Sequence, residues 1–360
     1  MNRKRVLVGM SGGVDSSVAA LLLRRQGYEV IGVTMKLFGK PFTADNAPDE
    51  GCCGANGAAQ SARRVCEALG IPHYTLDMQE IFRHRVIENF ISAYRECRTP
   101  NPCVECNRWL KFGAMWQRAA ELGCEYIATG HYARIGNDPG YEGLTLQRGR
   151  AAAKDQSYFL YGIPRELLPH ILFPLGDFAE KEEIRSLARE SRLPVAEAPE
   201  SQDICFISGS YRDFLGAAGI KNRPGEIVNS LGEVIGRHRG LHNYTIGQRR
   251  GLGIAAAQPL YVLGYKTAEN RLVVGTEAEL YRTEMEVGEI NLLTELNLSE
   301  ELAAEVKIRY GSPAVPARLV AGEDGKRLRV GFREAQKAIT PGQAAVFYAG
   351  DIVLGGGKII

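Results

Sequence analysis

Two short segments of the chain carry side chains able to do chemistry. The first is a cysteine pair, Cys103-Val104-Glu105-Cys106, set between Pro102 and Asn107, with Cys205 further along in Ser201-Gln202-Asp203-Ile204-Cys205-Phe206. Eight cysteines in 360 residues are too few for a disulfide scaffold, so close spacing points to redox, metal or nucleophilic sulfur chemistry. Cys103, Cys106 and Cys205 could hold three irons of a 4Fe–4S cluster and leave one iron open. A zinc site needs a fourth ligand, which Cys52 or Cys53 offers in principle. A thiol pair also suits sulfur transfer, one cysteine carrying a persulfide and the other resolving it as a disulfide. Cys66, Cys97 and Cys124 fall within expected regular elements and read as small buried hydrophobes.

The second segment is Ser11-Gly12-Gly13-Val14-Asp15-Ser16-Ser17. It follows the apolar run Arg5 to Met10 and precedes Val18-Ala19-Ala20-Leu21-Leu22-Leu23, a buried strand running into a helix that Gly27 ends. Adjacent glycines expose backbone N–H groups, and the helix N-terminus adds unpaired donors and the positive end of its dipole. That combination binds phosphate. It is not a Walker loop, because no Gly-Lys-Ser/Thr follows. The plainer alternative is an ordinary turn with Asp15 or Ser16 as N-cap.

Strand–helix alternation positions these segments. Strands are expected at Val30 to Met35, Pro72 to Asp77 and Glu125 to Thr129, and helices at Gln60 to Leu69, Gln79 to Cys97, Arg108 to Leu122 and Lys181 to Arg192. The two prolines of Thr99-Pro100-Asn101-Pro102 stop a helix, which places the cysteine pair on a stiffened loop. A phosphate turn after the first strand of such a series predicts an α/β fold with a doubly wound parallel sheet. After about residue 212 the texture changes to short β-type runs separated by glycine, and from about Arg282 to alternating strands that suit a small barrel. The expected division is 1–212 as the catalytic domain, 213–281 as a small central β-rich domain, and 282–360 as a C-terminal β-barrel.

With 44 Lys+Arg against 42 Asp+Glu, overall charge excludes nothing, and any nucleic-acid surface must be local. One such stretch exists. Between Arg237 and Gly253 lie four arginines, two histidines and no acid, a stripe that suits a phosphate backbone. No run of about 18 apolar residues is present, so no membrane span is expected, and the short apolar run after Met1 to Arg5 is broken by Ser11 to Asp15. The chain reads as cytoplasmic.

The Ser11–Ser17 string resembles the pyrophosphatase (PP) loop of the adenine-nucleotide α-hydrolases, which implies adenylation of a substrate oxygen by ATP. Together with Thr99-Pro100-Asn101-Pro102, Cys106-Asn107, Thr129-Gly130-His131-Tyr132, Lys154-Asp155-Gln156-Ser157-Tyr158, Ser201 to Phe206 and Tyr244-Thr245-Ile246-Gly247-Gln248-Arg249-Arg250-Gly251-Leu252, in that order, it is similar over the full length to the bacterial tRNA-specific 2-thiouridylases. The resemblance implies a PP-loop domain followed by the two β domains, with ATP bound at Gly9, Met10, Ser11, Gly12, Gly13, Val14, Asp15, Ser16, Met35 and Gly130. Ser11 and Asp15 become candidate polar or Mg²⁺-organising groups. Cys106 matches the nucleophile and Cys205 the persulfide carrier. Asn101, Pro102 and Cys103 match the stretch facing the target base, and His131, Lys154, Asp155, Gln156, Arg309, Tyr310 and Gln343 match tRNA contacts. Many members carry Asp where this chain has Cys103, so a carboxylate cannot be assigned there. The implied cofactors are ATP and Mg²⁺, with a 4Fe–4S cluster as the alternative. The implied partners are tRNA, a sulfur-donating relay protein and an external reductant. Two rivals are an amidating PP-loop ligase, which needs no thiol pair, and a non-catalytic tRNA-binding zinc protein, which needs no PP loop.

Overall fold

A computed structural model describes residues 3–38, 57–199, 204–207, 209–298, 300–322 and 325–360. Cys52, Cys53, Ser201, Gln202 and Asp203 lie outside the described residues.

The first unit is a five-stranded parallel sheet of β1 (Arg5–Gly9), β2 (Glu29–Lys36), β3 (His73–Asp77), β4 (Tyr126–Ala128) and β7 (Ile171–Leu172), in the order β3-β2-β1-β4-β7. Val6, Leu7 and Val8 are fully buried, as a central strand covered on both faces requires. Helix α1 (Val14–Arg25) packs beside the sheet through Ser16, Ser17, Val18, Ala19 and Ala20, whose small side chains allow a close approach. It ends where Gly27 takes φ +89° and Tyr28 N–H reaches Leu23 O, satisfying a terminal carbonyl. Helix α2 is Gly57–Leu69.

Helix α3 spans 79–95 and helix α4 spans 102–121, each containing a π-helical stretch, Arg83–Ile87 and Asn107–Ala114. The expectation of a loop through residue 107 is corrected by α4, which begins at Pro102. Proline has no N–H to lose in the first turn, and Asn101 caps that turn by accepting from Val104 N–H at 3.4 Å. Among the described residues the remaining α-helices are α5 (Lys181–Glu190) and α6 (Tyr211–Ala217). No helix among the described residues is long and apolar enough to cross a membrane.

The central sheet contains β8 (Gly225–Val228), β9 (Val234–His238), β10 (Tyr261–Lys266) and β11 (Arg271–Gly275), in the order β10-β11-β8-β9. Beyond it, β12 (Tyr281–Leu292), β13 (Leu302–Lys307), β14 (Val315–Ala321), β15 (Leu328–Lys337), β16 (Ala344–Ala349) and β17 (Ile352–Ile359) form an antiparallel barrel, closed where β12 pairs with β17. One feature was not anticipated. After β4 the chain makes a hairpin, β5 (Ala133–Asn137) and β6 (Leu144–Arg148), that joins the barrel's sheet at β17. Arg134 secures it with a 2.8 Å bond to Asp351.

Candidate active site

The strand order reverses between β1 and β4, and in a parallel sheet the crevice at the C-terminal ends of such strands receives ligands. A cleft of about 350 Å³ opens there. The phosphate turn leaves β1, Met35 lies one residue before the end of β2, and Thr129, Gly130 and His131 follow β4, so all three segments reach its wall from adjacent strands. Pro102, Cys103 and Cys106 enter from α4, and Cys205 from the chain before α6.

Hydroxyl groups brace the turn from within. Ser16 Oγ accepts from Ser11 N–H at 3.1 Å, and Ser17 Oγ donates to Gly13 O at 2.8 Å. The N-cap is Gly13, with no side-chain capping bond, rather than Asp15 or Ser16. Asp15 instead pairs with Lys181, at the start of α5, and accepts from Tyr132 Oη at 2.8 Å. A cation and a phenol thus hold the carboxylate in place through Oδ1. Gly12 has φ +78°. Gly130 must be glycine for a different reason, because a Cβ there would lie 2.7 Å from both Asp15 C and Ser16 N. Gly130 thus sets how closely β4 approaches the phosphate turn.

The barrel holds the segment leading into α4. Gln343 Nε2 donates to Thr99 O at 2.9 Å, and Thr99 N–H donates to Pro341 O at 2.9 Å. Glu105, between the paired cysteines, is 5% exposed. It accepts from Trp109 Nε1 at 2.9 Å and pairs with Lys358 of β17 at 3.0 Å. Burial pushes the Lys358 ammonium down, but Glu289 and Glu105 outweigh this and raise it, so Lys358 keeps its charge.

Cys205 is exposed. Its neighbours Ile204 and Phe206 pack into the core, Phe206 meeting the rings of Phe90 at 5.3 Å and Phe82 at 5.7 Å. An anchored aromatic thus presents the thiol to the cleft. Cys103 is exposed and Cys106 half-buried, whereas burial pushes the Cys66 and Cys124 thiols up to about 11, where they are inert. Cys103, Cys106 and Cys205 line the same cleft, and among the described residues no three Cys, His, Asp or Glu side chains are grouped to hold a metal ion.

His131 is buried, with Nδ1 2.6 Å from Thr129 Oγ1 and Nε2 3.4 Å from Lys111 Nζ. Burial, then Lys111, hold its pKa well below the usual value, so it is a neutral imidazole. An ammonium can only donate, which assigns the proton to Nδ1. Gln156 lines the cleft and accepts from Tyr132 N–H at 3.1 Å. Asp155 is buried and turned inward, accepting from Gly149 N–H, Ser157 N–H and Ser157 Oγ. Lys154 lies in the same short 3₁₀ turn region. Arg309 donates to Lys337 O, and the half-exposed Tyr310 ring lies 4.5 Å from that of Phe159. These two, with Asn101 and Gln343, stand beside the cleft rather than in its lining.

Sequence reasoning missed Lys111, Asn107 and Lys181. Lys111 follows Cys106 by five residues, the spacing that a π-helix aligns on one face, and both line the cleft. Lys181 reaches the phosphate turn only through tertiary packing.

Three family models cover nearly the whole chain: a tRNA methyl transferase HUP domain over 4–209, a tRNA methyl transferase PRC-barrel domain over 212–276 and an aminomethyltransferase beta-barrel domain over 282–359. The chain is 48% identical over 358 residues to the tRNA-specific 2-thiouridylase MnmA 1 of Syntrophus aciditrophicus, covering 99% of this chain and 93% of that one. It is 45% identical over 361 residues to the tRNA-specific 2-thiouridylase MnmA of Acetivibrio thermocellus, covering both chains completely. Likeness of this extent, spanning the phosphate turn, both cysteine segments and the barrel, means that the chain belongs to the tRNA-specific 2-thiouridylase family.

Proposed function

We propose that this chain is a cytoplasmic, ATP-dependent tRNA sulfurtransferase that converts the wobble uridine of tRNA into 2-thiouridine. The observation that carries the reading is the shared cleft, in which Ser11, Ser16, Met35 and Gly130 face the same space as Cys106 and Cys205. An adenylating site and two thiols in one cavity suit a reaction that activates a carbon and then delivers sulfur to it.

The C2 oxygen of uracil is a poor leaving group. In this reading it attacks the α-phosphorus of Mg·ATP, pyrophosphate departs and N3 gives up its proton to solvent, leaving an O-adenylated ring whose N3 is reprotonated when the thiouridine is released. Gly9 to Ser16, Met35 and Gly130 hold the nucleotide, and the uncapped α1 N-terminus stabilises phosphate charge. A relay protein has loaded Cys205 as a persulfide. The terminal sulfur attacks C2 and expels AMP, and the Cys106 thiolate then attacks the Cys205 sulfur. That releases thiouridine and forms a Cys106–Cys205 disulfide, which an external reductant resets. Alternatively, Cys106 attacks first and frees hydrosulfide as the nucleophile.

The base must leave its stack to enter. Asn101, Pro102 and Cys103 face it. His131, Lys154, Gln156, Arg309 and Tyr310 meet the tRNA, while Asp155 and Gln343 brace the loops that do so. Arg237, Arg239, Arg249 and Arg250, all exposed, extend the contact along the RNA backbone. The test is to supply tRNA transcripts, ATP and a persulfide donor, and to measure pyrophosphate and 2-thiouridine. Both should appear only with tRNA bearing a wobble uridine. Pyrophosphate without tRNA dependence, or no thiolated product, would overturn the reading.

A further inference from the structure

Asn107, immediately after the nucleophile candidate Cys106, is 3% exposed and lines the cleft. Its Nδ2 donates to Phe159 O at 3.0 Å. A carbonyl can only accept, so that bond fixes the amide orientation and assigns Oδ1 to the other side. Oδ1 has no hydrogen-bond partner. A buried acceptor without a donor is costly and calls for an explanation, and since Oδ1 is itself closed to solvent, a ligand in the cleft completes it only as the wall yields to admit the donor.

Among nucleobase groups, two kinds of donor could enter this cleft, an N–H of the target base or the amino group of adenine. The position of Asn107 favours the base. It lies on α4 next to Cys106, and its partner Phe159 leads outward to the half-exposed Tyr310 ring on the barrel, 4.5 Å away. Adenine, by contrast, belongs at the ends of β1 and β2, beside the phosphate turn and Met35. Uracil and cytosine differ at the atom that matters. Uracil N3 carries a hydrogen and donates, while cytosine N3 bears a lone pair and would face Oδ1 with like charge.

We propose that Asn107 Oδ1 is the specificity-determining acceptor that reads N3–H of the target uracil. This rests on the reading of the substrate as a wobble uridine. A neutral amide is not a base, so Asn107 selects the ring and does not keep its proton. The same contact turns the Watson–Crick edge toward α4 as the base binds, and it ends when adenylation removes the N3 hydrogen.

The experiment measures binding of anticodon stem-loop RNAs carrying uridine, cytidine or 3-methyluridine at the wobble position, without ATP, to the full-length protein and to Asn107→Leu and Asn107→Ala. The wild-type protein should prefer uridine over the other two by about tenfold or more. Asn107→Leu should bind uridine and cytidine RNAs equally. Asn107→Ala, which also makes room for the methyl group, should bind uridine and 3-methyluridine RNAs equally. ATP affinity, measured in parallel, should be unchanged and reports that the variants fold. Retention of the uridine preference by both variants would overturn the inference, as would a loss of ATP affinity with the RNA preference intact. A wild-type protein that makes no thiouridine would instead overturn the function proposed above, so the two failures are distinguishable.

Discussion

Replacing Lys358 by Met isolates the contact between the barrel and the cysteine helix. Lys358 Nζ lies 3.0 Å from Glu105 and 2.8 Å from Glu289, with the Glu105 side chain 7% exposed and the Glu289 side chain 59% exposed. At an effective dielectric of about 20, two unit charges at that separation attract by about 5 kcal/mol. Removing the cation leaves Glu105 buried with the Trp109 indole N–H as its donor, and such orphaned charges cost about 3–5 kcal/mol. Lys358→Met should therefore destabilise by about 3 kcal/mol. Glu105→Gln keeps the Trp109 bond and leaves Lys358 with Glu289, so it should cost about 1 kcal/mol. The double variant buries no orphaned carboxylate and should be less destabilised than Lys358→Met alone, by about 2 kcal/mol. Urea unfolding of the four proteins at pH 7 provides the cycle. Additive losses, or a loss below about 0.5 kcal/mol for Lys358→Met, would refute the claim that the barrel clamps the helix carrying Cys103 and Cys106.

Other expectations concern the nucleotide and RNA contacts. Gly130→Ala puts a methyl 2.7 Å from backbone atoms of Asp15 and Ser16, and should weaken ATP binding at least about tenfold in calorimetric titration. Unchanged affinity would detach Gly130 from the phosphate turn. His131 is neutral in the fold, its pKa lowered below 6.5 by burial and Lys111. The unfolded chain binds the proton more readily, so this group's stabilising effect is full above 6.5 and declines as pH falls toward the folded value. His131→Gln should flatten that acid limb in urea midpoints taken between pH 7.5 and roughly pH 5.5, and an unchanged slope would contradict the assignment. Neutralising exposed Arg249 and Arg250 together should weaken tRNA binding and lower the slope of log K against log salt by about 1–2. Equal slopes would remove these arginines from the RNA contact.

What the sequence makes legible follows from how local each feature is. The phosphate turn is written in seven contiguous residues between an apolar strand and an apolar helix, and the reversal of strand order follows from the alternation. The start of α4 was obscured because proline both stops helices and starts them. The decisive cue was Asn101 directly before Pro102, a capping residue followed by the one residue whose missing N–H costs nothing there. The β5–β6 hairpin joins the barrel through a single register pair, Ile352 with Gln147, and no local pattern announces that partner. Glu105 and Lys358, or Asp15 and Lys181, meet only because the fold brings distant segments together. Asn107 is different again. Its neighbours hint at a site, but only the geometry reveals an acceptor with its donor missing.

The central claim is that the phosphate turn prepares the carbon and the cysteines supply the sulfur. It is tested most directly by Cys205→Ser, beside the wild-type protein, in a single-turnover reaction with ATP, a persulfide donor and a tRNA bearing a wobble uridine. The account predicts tRNA binding and tRNA-dependent pyrophosphate release at close to the wild-type level, with no 2-thiouridine. Normal thiolation by that variant would contradict it.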